Sequence, residues 1–286
     1  MANIKGIDVS KWQGIIDWNK VKADGVKFTM IRVGYATTLD DKFHFNIKEA
    51  LKVGIDVGVY LYSYAITPTQ AKKEAEFVLK AIKGYNISYP VVYDLEDKSQ
   101  EHLSKSMASD LVIAFCNTVD QAGYTPMLYS NLNWLTYKLD CNKIKKYDIW
   151  LAQWTSKPTY DKPFTMWQYT EKGRVAGITA NLVDLNIGYK DYGKEYREMQ
   201  EEIKALKKAN LNMQIKNDKL IEQLEASQDI IRKQQGSLEN IQEAINEIRR
   251  AGAKARNIIL AAMRTGDTSK AQAVGQELLD MISKFE

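Results

Sequence analysis

The stretch Val91-Val92-Tyr93-Asp94-Leu95-Glu96 decides how this chain is read. It is an apolar run that ends in two carboxylates at positions i and i+2. In a β-strand, side chains at that spacing share one face. Their Cα atoms then lie roughly 6.6 Å apart, two strand rises. Two acids side by side at the end of a buried strand repel each other, so both cannot keep ordinary pKa values. Such a pair supplies one proton donor and one anion, the combination that glycoside hydrolysis uses. The bland alternative is an Asp and a Glu that leave a strand into solvent. This segment alone does not separate the two readings.

Outward from this strand, short apolar runs alternate with helical patterns. The pattern predicts strands at 4–9, 27–34, 56–64, 90–95, 126–130, 149–154, 165–169 and 182–187. It predicts helices at 17–23, 41–53, 69–83 and 101–122. Asp24-Gly25, Val53-Gly54 and Ala122-Gly123 read as helix stops. Thr67-Pro68-Thr69 and Leu103-Ser104 read as helix entries. Strands joined by helical crossovers imply a parallel sheet closed into a barrel. The late connections are too brief for full helices. The expectation is an α/β fold over residues 1–193, a (β/α) TIM-like barrel that degenerates in its last strands.

The acids then fall into a pattern. Asp8 ends the first strand, Asp94 and Glu96 end the fourth, and Asp184 lies in the last, within Leu182-Val183-Asp184-Leu185-Asn186. In a closed parallel barrel the strand C-terminal ends converge on one face, where barrel active sites are built. An unpaired charge inside an apolar strand is costly, so acids kept there point to function. Polar-tipped aromatics gather at the same ends. They are Tyr60, Tyr62, Tyr64, Tyr129, Trp150, Trp154, Trp167 and Tyr169. Core packing is the commoner role for any one ring. As a set beside acids, they suit the faces and hydroxyls of sugars.

Composition narrows the field. The 286 residues suit one large domain plus an appendage, and 45% hydrophobic content supports a substantial core. A formal net charge of +4, with no Lys/Arg block, predicts no nucleic-acid partner. Cys116 and Cys141 are the only cysteines, with no CxxC or Cys/His cluster, so a structural zinc site is not expected. Cys116 reads as a small buried hydrophobe, and a disulfide between the two stays open. His44 and His102 have no Ser-nucleophile motif or metal spacing nearby, which disfavours a Ser/His/Asp hydrolase. No glycine-rich phosphate loop appears. The absence of an apolar run of membrane-spanning length predicts no membrane span. Met1-Ala2-Asn3-Ile4-Lys5-Gly6 lacks the apolar core of a secretory signal.

The composition changes near residue 193. All six Trp, all five Pro, and all but Tyr196 and Phe285 among the Tyr and Phe precede Lys194. Beyond it, charge-rich helical sequence carries a heptad through Met199, Ile203, Leu206, Asn210, Met213, Asn217, Leu220, Leu224, Ser227, Ile231, Gln234, Leu238, Ile241, Ile245 and Ile248. With Ile203 at position a, Asn210 and Asn217 also fall at a, where Asn fixes register and favours dimers. Residues 194–286 are therefore expected to form an all-α coiled-coil or helical-bundle segment for oligomerisation or wall targeting. One continuous helix from Lys194 to Arg264 would reach ~105 Å. A break at Gln235-Gly236-Ser237 is the alternative. A turn at Thr265-Gly266-Asp267-Thr268 and a last helix from Ser269 to Phe285 follow, with a hairpin closing at the end.

From Lys5 to Tyr192 the chain resembles the glycoside hydrolase family 25 muramidases, the Chalaropsis-type lysozymes common as phage endolysins and bacterial autolysins. The matching pieces occur in order. They are Gly6-Ile7-Asp8-Val9-Ser10 with Trp12-Gln13-Gly14, then Phe45-Asn46 through Tyr60, then Tyr93-Asp94-Leu95-Glu96. Trp150-Leu151-Ala152-Gln153-Trp154, Trp167-Gln168-Tyr169 and Val183-Asp184-Leu185-Asn186 follow. The resemblance implies retaining cleavage of the β-1,4 bond between N-acetylmuramic acid and N-acetylglucosamine in peptidoglycan, without metal or cofactor. It implies Glu96 as general acid, Asp94 as an anion that orients or stabilises, and Asp8 and Asp184 as shapers of the field. The stabilising group would be a carboxylate or the substrate's 2-acetamido group, and sequence leaves that choice open. Tyr62, Tyr129, Trp154, Trp167 and Tyr169 are the candidate sugar contacts. A phage endolysin would wait in the host cytoplasm until lysis, then act on the cell wall. The alternatives are a wall-binding or structural protein on the same barrel and a hydrolase acting on chitin.

Overall fold

A computed structural model describes residues 3–180, 182–266 and 269–283. The strands are β1 (Ile4–Val9), β2 (Phe28–Tyr35), β3 (Thr38–Leu39), β4 (Asp56–Tyr62), β5 (Val91–Asp94), β6 (Pro126–Asn131), β7 (Asp148–Ala152), β8 (Met166–Gly173) and β9 (Val183–Gly188). They form one sheet in the order β1-β9-β8-β7-β6-β5-β4-β2-β3, and a β1–β2 pairing closes it. Eight strands make the ring, and the two-residue β3 flanks β2.

The ring is not wholly parallel, which corrects the sequence expectation. β9 runs antiparallel to both β1 and β8. Residues 174–182 are fewer than the dozen or so that a parallel crossover needs, so the chain turns back directly. The reversal has a consequence for chemistry. Asp184 is near the start of β9, and its Cα pairs with that of Asp8 near the end of β1. An antiparallel last strand thus delivers its acid to the mouth from its N-terminal end.

Helices α1 (Trp18–Ala23), α2 (Phe43–Lys52), α3 (Pro68–Ile82), α4 (Lys105–Gln121) and α5 (Cys141–Ile144) fill the earlier connections. Local chemistry sets their ends. Thr67 and Gln70 form a capping box at α3 with Pro68 in the first turn, an arrangement worth ~1 kcal/mol. Gly25, Gly54 and Gly123 take φ of 87°, 74° and 82° just past helix ends, where a side chain would be strained. Ser104 caps α4, so that helix starts at Lys105 rather than at 101; a short 3-10 turn fills Lys98–Gln100. α5 and β3 are too short for periodicity to reveal.

Two apolar layers follow from the period-two alternation of the strands. Phe28, Met30, Val92, Met127, Trp150 and Met166 belong to one cluster inside the ring. Ile7, Val9, Ile31, Val59, Tyr93 and Leu128 belong to another that packs with α1–α4. Gly6 faces inward because a Cβ there would sit 2.1 Å from the Phe28 ring.

The chain divides into two compact units, Met1–Ile203 and Lys204–Glu286. Helix α6 (Tyr192–Thr265) is unbroken, so the expected alternative of a stop at Gly236 is not taken. In the second unit Leu206, Met213, Leu220, Leu224, Ile231, Leu238 and Ile241 of the heptad are all more than half exposed. Helix α7 (Ser269–Ile282) returns against the end of α6. Val274, Ala255 and Ala262 are buried there, and Lys254 pairs with Glu277 at 3.4 Å. Of the predicted turn, Asp267 and Thr268 lie outside the described residues, as does Phe285. Among the described residues no helix is long and apolar enough to cross a membrane.

Candidate active site

The inward face of the strands changes character at one end of the ring. Above the apolar layer, Asp8, Arg32, Tyr60, Asp94, Tyr129, Gln168 and Asp184 line a cavity of about 260 Å³. Glu96, two residues beyond Asp94 and just past the end of β5, enters the same cavity. The structure therefore brings together all four predicted acids. It also brings Tyr62, Tyr129 and Trp154 to the cavity. Trp154 stands at its edge, 55% exposed, available to a ligand face.

Trp167 and Tyr169 do not line the cavity, which corrects their expected place. Their neighbour Gln168 points inward, and alternation sends 167 and 169 outward. Trp167 is buried in the outer core, its indole N–H donating to the Gln153 carbonyl at 2.8 Å. Tyr169 packs against the same cluster.

Gln168 is the residue that motif reading passed over. Its Oε1 accepts from the Tyr129 hydroxyl and from the Trp154 indole, each at 3.1 Å. That orients its amide N–H toward Asp8, 3.1 Å away. Asn186 works the same way. Its Oδ1 accepts from the Trp150 indole at 2.8 Å, and its Nδ2 donates to Asp8 at 2.7 Å. Two amides with fixed orientation thus aim donors at one carboxylate. Arg32 reaches the cavity from β2, anchored by Asp40 at 2.7 Å. The Tyr62 hydroxyl donates to Asp97 at 3.0 Å.

The acids do not share one electrostatic fate. Burial raises Asp8, but donors from Asn186, Gln168 and Asp184 oppose the rise, so Asp8 is the best-equipped anion. Asp184 is pushed up to about 9 by burial, by the charge of Asp8 and by its hydrogen bond to Asp8. The shared proton therefore sits on Asp184. Glu96 is pushed up to about 7 by burial, Asp8 and Asp97. Asp94 is also pushed well up, by burial, Glu96 and Asp8, while Arg32 opposes. The simple picture of an ordinary anion at Asp94 gives way to a cluster that holds several protons in common. Asp94 Oδ1 is buried and has no hydrogen-bond partner among the described residues. A carboxyl that keeps its proton to about 7, beside charged neighbours and aromatic rings, can protonate a leaving oxygen at neutral pH.

Comparison with known proteins bears on this geometry. Residues 7–178 match the glycosyl hydrolases family 25. The chain is 29% identical over 181 residues to the autolytic lysozyme of Clostridium acetobutylicum, covering 62% of this chain and 54% of that one. It is 28% identical over 139 residues to the lysozyme of Lactococcus phage mv1, covering 40% of this chain and 69% of that one. Among solved structures it resembles the modular autolysin LytC of Streptococcus pneumoniae in complex with a synthetic peptidoglycan ligand. There the TM-score is 0.61 and the identity 32%, over 65% of this chain and 47% of that one. The chain thus spans about half the length of the Clostridium and Streptococcus autolysins. With a match over most of its length and the acid cluster in place, the chain belongs to glycosyl hydrolase family 25.

Proposed function

We propose that this chain is an endo-acting N-acetylmuramidase that hydrolyses the β-1,4 bond between N-acetylmuramic acid and N-acetylglucosamine in bacterial peptidoglycan. The observation that carries the reading is Glu96, a carboxyl held protonated to about 7 in a cavity it shares with Asp8, Asp94 and Asp184. Glu96 donates its proton to the glycosidic oxygen and then activates water as a base. Asp94, deeper in the cavity, orients the 2-acetamido group and stabilises the positive centre, with Arg32 favouring its charged form. Asp8 supplies fixed negative charge, and Asp184 shares its proton. Tyr62, Tyr129 and Trp154 contact the sugar. The outcome is retention of configuration, through either a carboxylate nucleophile or the 2-acetamido group.

The rest of the reading concerns assembly and setting. Residues 1–193 act as the catalytic domain, a TIM-like (β/α) barrel with its last helices lost. Residues 194–286 act as an assembly domain in which α6 pairs with α6 of further copies as a coiled coil. The exposed Leu220, Leu224, Ile231 and Leu238 support this, because a lone chain would leave that seam in water. The phage relative supports an endolysin that resides in the host cytoplasm until lysis and then acts on the wall.

The test is reducing-end release from purified cell walls by the parent and by Glu96→Gln. The proposal expects release from the parent alone. Equal release from both rejects the assignment. Chitin oligomers run in parallel separate a muramidase from a chitin hydrolase.

A further inference from the structure

A larger cavity lies at the opposite end of the ring, outside the acid cluster. It holds about 590 Å³, against about 260 Å³ at the acids, and falls in the ~300–1,000 Å³ range of small-ligand sites. The segment leading into β5 and the start of β6 form one side of it, and the first turns of α6 form the other. Five tyrosines line it: Tyr85, Tyr89, Tyr124, Tyr192 and Tyr196. Tyr89 stacks on Phe28 at 4.5 Å and meets Tyr192 edge-on at 5.4 Å, which makes a fixed floor. Tyr124 and Tyr196 are only half-buried and present ring surface to the opening.

The helical wall is held rigidly. Arg197 clasps both oxygens of Asp56 at 2.9 Å, and the Tyr192 hydroxyl donates to Asp148 at 2.7 Å. Tyr196 bonds to Asn86. This wall comes from residues beyond the 7–178 match, so the matched family segment does not by itself build the cavity.

The lining chemistry selects a ligand class. Asp120 and Glu195 lie on the rim, and among the described residues no Lys or Arg lines the cavity. Two carboxylates without a cation repel an anion and make poor company for a lipid tail. Flat amphipathic rings with hydroxyl tips, beside carboxylate and amide acceptors, suit a neutral polyhydroxylated ring. The catalytic cavity uses the same ingredients, tyrosines beside acids. We infer that this cavity is a second saccharide site, which holds a β-1,4-linked N-acetylated aminosugar strand while the acid cluster works on another. The inference rests on the muramidase reading for its ligand. Two grips on a polymeric wall raise residence without any new catalytic contact.

The experiment titrates the full-length Glu96→Gln protein calorimetrically with the tetramer of β-1,4-linked N-acetylglucosamine. Two tetramers should bind per chain. Adding Tyr196→Ala, and separately Asp120→Asn at the exposed rim, should weaken one binding event, roughly tenfold for the ring. The other event should stay unchanged. Tyr196→Phe, which keeps the ring, should restore it. In the otherwise native enzyme, Tyr196→Ala should slow turnover of insoluble walls several-fold and leave turnover of short soluble glycans unchanged. A single tetramer per chain, or two events untouched by both variants, overturns the second site. Should the parent fail to cleave walls, the muramidase reading falls while the stoichiometry still decides this one.

Discussion

The two units break opposite rules of protein surfaces. The barrel buries charge: Asp8 and Asp94 are each 4% exposed, and they share one cavity with Glu96 and Asp184. The α6 segment shows apolar surface: Leu206, Leu220 and Leu238 stand in solvent at 62%, 52% and 65%. Each departure is unfavourable for an isolated folded chain. In the barrel the cost is met by hydrogen bonds and retained protons, which is what acid catalysis needs. In the helix nothing among the described residues meets it, and the proposed pairing of α6 with a second copy is what would. The first departure marks the proposed reaction centre, and the second marks the proposed interface.

The sharpest break of this contrast is at Glu96. Glu96→Gln should lower wall hydrolysis by about 10²–10⁴-fold, the usual contribution of a general acid, with the fold intact by circular dichroism. The matching break in the helix is the pair Leu220→Lys and Leu224→Lys. The full-length parent should scatter light as an oligomer and the variant as a monomer. Wall clearing should fall about tenfold or more as avidity is lost, with unchanged rates on soluble glycan.

A smaller effect tests the cost of burial itself. Asp184 in the folded barrel holds its proton up to about 9, whereas the unfolded chain releases it near the ordinary aspartate value of 3.8. Between those values the unfolded state binds fewer protons, so stability falls as pH rises through the window. Asp184→Asn removes that loss. Its melting temperature should exceed that of the parent by a few degrees at pH 8, at ~2–4 °C per kcal/mol, and by much less at pH 4. The smallest effect separates the two tryptophans. Trp154→Ala should raise KM on soluble glycan several-fold, whereas Trp167→Phe should lower the melting temperature and leave KM unchanged.

Much of this was legible in the residues, for a definite reason. Strand positions follow apolar runs bounded by glycine stops, and an acid inside such a run stands out, as Asp8 and Asp184 do. Pairing direction is not a local property. The reversal of β9 left its trace only in the shortness of 174–182. Trp167 and Tyr169 were conspicuous as aromatics, yet only one parity of a strand can face the cavity, and Gln168 holds it. The usable signal was the polar residue at inward parity. The same signal marks Arg32 after Phe28 and Met30, and Asn186 after Asp184. Hydrogen-bond relays such as Trp150 to Asn186 to Asp8 join strands far apart in sequence, and no local spacing announces them.

The central claim is that the barrel keeps one acid charged with its proton near neutrality. Carboxyl-selective carbon NMR of the full-length protein, with Glu96 assigned through Glu96→Gln, reads that directly. The account predicts a titration midpoint for Glu96 at about 7, moving downward in Asp8→Asn as the neighbouring charge is removed. A midpoint at the ordinary glutamate value of ~4.3, indifferent to Asp8, would contradict it.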